Sequence, residues 1–273
     1  MPRSKFCCIL THGIDPMSPN LGSKVPWNGN YVFGNNVLTA RPEYGSLVAA
    51  VIAGWAVTET HLGRVFAYMV GAKHPITMSM YAAIHSFDTQ RDLLKVAAEE
   101  SLSKRNAILF KASLVVLNRA AQERHKFAHW IWGASADPAL QALLLVEPKH
   151  FWHLSLAQIG HMKRQGKDTL TPLEMAWINA TLPKLDPSII YVYGLKDLEA
   201  TRDRMEKAFV IADMLRRLVS LKAAQRRSIY QRLYADADIR LVLEKDGKKG
   251  LPRTRPIPKE QPKTALRKNA KSV

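Results

Sequence analysis

Three stretches of this chain place apolar residues at the 3.6-residue period of a helix, and that spacing restricts the fold more than any other feature. Over 44–71 the repeating set is Leu47, Val48, Val51, Ile52, Trp55, Leu62, Phe66, Met69 and Val70. Over 103–127 it is Ile108, Leu109, Ala112, Val115, Val116 and Ala120. Over 197–221 it is Leu198, Met205, Ala208, Ala212, Leu215 and Leu218. A helix with one apolar face must bury it against another element, so these stretches predict a mainly α fold around a shared core. Shorter helices are expected over 78–86, over 88–101 with Asp88 as cap, and from Ala223 to about Tyr234.

Extended structure has fewer signals. Ile-Ile-Tyr-Val-Tyr at 189–193 is the clearest strand, and the apolar run 140–146 is a second. The two are expected to pair as a small antiparallel ribbon, while 134–138 reads as a loop. Residues 1–43 are rich in Pro, Gly and Asn and read as an irregular arm. Within that arm Tyr31-Val32-Phe33 is a short extended piece, and Trp27 and Tyr31 are candidate anchors. Between the strands, His150 and His153 precede a helix with His161, Lys163 and Arg164. A turn over 166–171 then leads to a helix opened by Thr171 and Pro172. The domain reading is an arm (1–43), a helical domain (44–235) with a strand insertion over about 139–193, and a basic, Pro-containing disordered tail (236–273).

Charge narrows the choice of partner. The formal net charge is +17 over 273 residues; from Lys245 onward ten Lys/Arg stand against two acids, which supplies +8 of it. The remaining +9 favours a polyanion, of which nucleic acid is the simplest. Adjacent Cys7 and Cys8 do not suit a structural disulfide, and a reducing cytoplasm is expected. No Cys/His spacing suggests zinc, and no apolar run reaches membrane-spanning length.

Chemistry concentrates in Glu123-Arg124-His125-Lys126-Phe127-Ala128-His129-Trp130-Ile131-Trp132-Gly133. A guanidinium forks onto phosphate oxygens, and an imidazole exchanges protons near neutral pH. Residues five apart lie about 140° apart around a helix, so Arg124 and His129 cannot share one face of a straight helix, whereas His125 and His129 can. Either the helix ends inside the motif, or a second copy of the chain completes the site. The register Arg119-x5-His125 also fits. Glu59, on the apolar face of the first long helix, needs a partner; it either pairs with an arginine of a neighbouring helix or orients Arg124 or a motif histidine.

Arg124-x4-His129 with polar His125 after the arginine resembles the signature of the HEPN superfamily, and the helices over roughly 44–221 resemble its domain more loosely. The resemblance implies an up-and-down helical bundle, here with a small β-hairpin insertion. It further implies a homodimer whose two motifs face each other across a two-fold axis. The activity it implies is metal-independent RNA cleavage, with no cofactor, in a toxin or antiviral defence role that an antitoxin or other regulatory partner restrains. In that reading Arg124 clamps the phosphate, His129 is base or acid, His125 supports it, and Lys126, Trp130 and Trp132 contact RNA. A non-catalytic module that dimerises or binds RNA or protein is the alternative. Family motifs commonly have Asn where this chain has His125, and a small residue where it has Trp130.

Overall fold

The computed structural model describes residues 31–33, 37–72, 74–135, 141–152, 156, 160, 171 and 186–247. Among these the helices are α1 (Pro42–Val70), α2 (His74–Ala82), α3 (Phe87–Ser101), α4 (Lys104–His129), α5 (Leu195–Ser220), α6 (Ala223–Ala235) and α7 (Ala237–Asp246). The strands are β1 (Tyr31–Phe33), β2 (Ile131–Ser135), β3 (Leu143–Val146) and β4 (Tyr191–Tyr193). The architecture is mainly α with one small antiparallel sheet.

Local chemistry sets the helix ends. Pro42 opens α1, where a missing N–H costs nothing, and Gly71 closes it at φ 69°, its N–H donating to Ala67 O at 3.1 Å. At α3 the cap is Ser86, whose Oγ accepts from Thr89 N, rather than the expected Asp88; Asp88 instead pairs with Arg91 at 2.8 Å inside the first turn. At α5 the side chain of Asp197 accepts from Gly194 N at 2.9 Å and secures the turn out of β4.

The core lies where α1 runs along α5 and α4 packs across both, with Trp55, Leu62, Phe110, Leu114, Leu117 and Leu215 fully buried. Fully burying side chains of this size stabilises by about 1.5–3 kcal/mol each. Val115, expected in the core, is 40% exposed. It stands about 200° around the helix from buried Ser113, so Leu114, Val116 and Leu117 face inward and Val115 outward. Val70, in the last turn of α1, is also exposed.

The two expected strands pair in antiparallel fashion, Leu143 opposite Tyr193 and Leu145 opposite Tyr191. They belong to a four-stranded meander in the order β1-β2-β3-β4 rather than to an isolated hairpin. Tyr31-Val32-Phe33 is extended as expected and forms the outer strand against β2. β2 replaces the start of the expected loop and carries Gly133 as a strand residue. A Cβ there would meet the Phe33 ring at 2.4 Å, so glycine permits the β1–β2 approach. Every residue of β3 is buried.

At the other end, α7 occupies residues that composition assigned to the tail. Ile239, Val242 and Leu243 bury against the body, and Asp236 caps the helix while pairing with Lys207 at 3.0 Å. The start of the tail at 236 is therefore corrected: an amphipathic turn of apolar residues outweighs the local charge. Residues 248–273, Cys7, Cys8, Trp27, His153, His161, Lys163, Arg164 and the helix expected from Pro172 lie outside the described residues. No described helix is long and apolar enough to cross a membrane.

Candidate active site at the end of helix α4

The motif occupies the last two turns of α4 and the entry to β2. Trp130 leaves the helix in an extended conformation (φ −87°, ψ 159°), with its N–H still donating to Lys126 O at 2.9 Å. Because α4 runs unbroken through His129, Arg124 and His129 project about 140° apart from one another. His125 and His129, one turn apart, do share a face: their ring centroids lie 4.6 Å apart. Both histidines are exposed and Arg124 is half-buried.

The arginine is unusual in its surroundings. Its Nε is buried without a hydrogen-bond partner, and among the described residues no carboxylate pairs with its guanidinium. Its charge reaches His129 nonetheless. Partial burial of the His129 ring, reinforced by His125 and then Arg124, pulls its pKa below the ordinary 6.5, so at neutral pH the imidazole is unprotonated and free to accept a proton.

Neighbouring motif residues are engaged by β4. Buried Glu123 accepts from the Tyr193 hydroxyl at 3.1 Å and from Lys126 Nζ at 3.0 Å. The Lys126 ammonium also sits 4.7 Å from the Tyr191 ring centroid and 5.8 Å from that of Trp130, and Trp130 packs edge-on against Tyr191 at 5.0 Å. Trp132 is half-buried beside Phe127, which in turn packs on Tyr193. Lys126, Trp130 and Trp132 thus contribute to the joint between α4 and the sheet, with Lys126 already paired.

Glu59 is not brought to this site. It is half-buried on α1, its negative charge acts on the phenol of Tyr81 in α2, and among the described residues it makes no ion pair or hydrogen bond with Arg124, His125 or His129. Arg119, the arginine of the other register, is half-buried one helical turn and more before the histidines. No group of His, Cys, Asp and Glu that could hold a metal occurs among the described residues.

Sequence reasoning included Glu123 in the motif stretch without giving it a role, and passed over Tyr191 and Tyr193 as members of this neighbourhood. The available signal was the i, i+2 spacing of the two tyrosines, which places both on one face of a strand. Comparison with protein-family models, curated proteins and solved structures finds no match for the chain.

Proposed function

We propose that the chain is a metal-independent endoribonuclease of the HEPN type, acting as a homodimer. The observation that carries this reading is an arginine with no carboxylate partner among the described residues, on the same two helical turns as two exposed imidazoles, one with its pKa lowered. A guanidinium left unneutralised in the fold is available to an outside anion.

In the proposed reaction a neutral imidazole, His129, removes the 2′-hydroxyl proton of RNA. The 2′-oxygen forms a bond to phosphorus as the bond from phosphorus to the 5′-oxygen breaks. A protonated imidazole, from His125 or from the second copy of the motif, delivers a proton to that departing oxygen. Arg124 stabilises the charge gathered on the phosphate. The products are a 2′,3′-cyclic phosphate and a 5′-hydroxyl, and the 2′-hydroxyl requirement makes the substrate RNA rather than DNA. A toxin or antiviral defence role restrained by a partner belongs to the same reading.

A second reading, a non-catalytic module that binds RNA or protein, is favoured by the engagement of Lys126 and Trp130 with β4. Incubating the purified protein and its His129→Ala form with RNA in EDTA separates the two. Cleavage that survives chelation and vanishes in the variant supports the nuclease. Equal traces from both proteins reject it, and RNA binding without cleavage supports the module.

A further inference from the structure

At the opposite end of α4 from the histidines, two segments far apart in sequence bring unpaired cations together. Arg105, in the first turn of α4, lies with its guanidinium 5.6 Å from the ring centroid of Tyr234 in α6. Arg226 of α6 donates from Nε to Leu221 O at 2.6 Å, and the charges of Arg226 and Arg105 both act on the Tyr230 hydroxyl. Helical spacing places Arg226, Arg227, Tyr230 and Tyr234 within roughly 100° of arc on α6. Lys104, Arg105 and Arg227 are exposed, while Arg226 and both tyrosines are half-buried.

What distinguishes this surface is the lack of acids. Elsewhere several cations are neutralised at short range: Arg91 by Asp88, Lys126 by Glu123, Lys207 by Asp236, Arg216 by Asp213. Among the described residues Lys104, Arg105, Arg226 and Arg227 have no such partner, and α6 itself holds no Asp or Glu. Two of the forks are also held in place, one by stacking on Tyr234 and the other through its Nε, so less side-chain freedom is lost when a phosphate arrives. Solvated surface arginines have no such fixing.

We propose that this surface, formed by the start of α4 and by α6, docks the phosphodiester backbone of a nucleic acid about 28 Å along α4 from Arg124. Guanidiniums alternating with half-exposed phenol rings suit a strand that offers phosphates and stackable bases. The contacts go to the backbone, so the surface holds RNA and DNA alike and adds affinity without sequence choice. It does not depend on whether the motif cuts.

The test is fluorescence anisotropy with the full chain and labelled single-stranded RNA and DNA of one sequence, over a range of salt. Arg105→Ala/Arg227→Ala is compared with Arg202→Ala/Arg240→Ala, which removes the same charge at cations paired with Asp203 and Glu244. The first pair is expected to weaken both nucleic acids about tenfold and to lower the log–log salt slope by about 1.4. The control pair should weaken binding less than about threefold. Arg227→Ala alone, at an exposed position, gives a smaller loss in the same direction and guards against misfolding of the double variant. Equal losses in the patch and control variants, unchanged binding, or a loss confined to anionic phospholipid vesicles would overturn the proposal. A chain that binds through this surface yet never cleaves RNA rejects the nuclease and leaves the docking surface standing.

Discussion

Two clusters in this molecule hold the same residue types and meet different fates. At the seam between α1 and α5, His61 Nδ1 lies 3.6 Å from Asp213, and Asp213 is gripped by Arg216 at 2.6 Å and Arg217 at 2.7 Å. At the end of α4, no carboxylate among the described residues pairs with Arg124, His125 or His129. Both clusters contain a histidine whose pKa burial pushes down. Only the first has a carboxylate, and burial alone would raise that carboxylate, but Arg216 and Arg217 outweigh it and keep it ionised. A carboxylate draws the arginines of its own helix into a clasp; without one the same groups keep their capacity for an outside anion.

The comparison breaks most visibly in cleavage. Arg124→Ala should slow RNA cleavage by ~10²–10³-fold, the worth of ~3–4 kcal/mol of transition-state stabilisation, measured with a labelled RNA in EDTA. Arg216→Ala, which removes the same chemical group from the closed cluster, should leave the rate within about twofold of wild type. Equal effects would mean that the two clusters do not divide as their carboxylates suggest.

Stability should divide the other way. Asp213→Ala takes away the shared acceptor of Arg216 and Arg217 and is expected to cost about 1–3 kcal/mol in urea unfolding. Arg124→Ala should cost less, since among the described residues Arg124 has no carboxylate partner to lose. Tyr193→Phe tests the support beneath the open cluster: it removes the hydroxyl that Glu123 accepts inside the protein, for about 1–2 kcal/mol. A fall in kcat without that loss of stability would move Glu123 from the scaffold into the reaction.

The long helices were legible because each buries one continuous stripe, and a 3.6-residue stripe survives any tertiary arrangement. The pairing of β3 with β4 was legible for a similar reason: both are apolar runs bounded by turn residues. β2 was not. Its sequence, Ile-Trp-Gly-Ala-Ser, carries a glycine that ordinarily punctuates, and only the Phe33 ring on the facing strand explains why glycine sits there. α7 was hidden by the lysines and arginines that follow it. At the site, the closeness of the His125 and His129 rings followed from helix geometry alone. The lack of a carboxylate partner for Arg124 among the described residues and the absence there of any contact between Glu59 and the motif depend on long-range packing that spacing does not encode.

The smallest effect separates the two histidines by pH. Burial of the His61 ring, aided by Arg216 and Arg64, outweighs the upward pull of Asp213, so its folded pKa lies below the ordinary 6.5. Between the folded and unfolded values the unfolded chain binds more protons, so stability rises with pH through that window. The contribution is complete above 6.5 and is lost as pH falls below it. His61→Gln should therefore flatten the change in urea midpoint between about pH 7.5 and about pH 5.5. Asp213→Ala should steepen it, because the group that favours protonation has gone. His129 shares the direction of shift, but its cost is softened by solvent at an exposed position, so His129→Gln should change the same slope less. Its pH signature belongs to the reaction instead: a bell-shaped cleavage profile that falls on the acid side as the proton acceptor fills and on the alkaline side as the imidazole acid empties. If His129→Gln flattened the unfolding profile as much as His61→Gln does, the open cluster would be as enclosed as the clasp, and the contrast between them would fail.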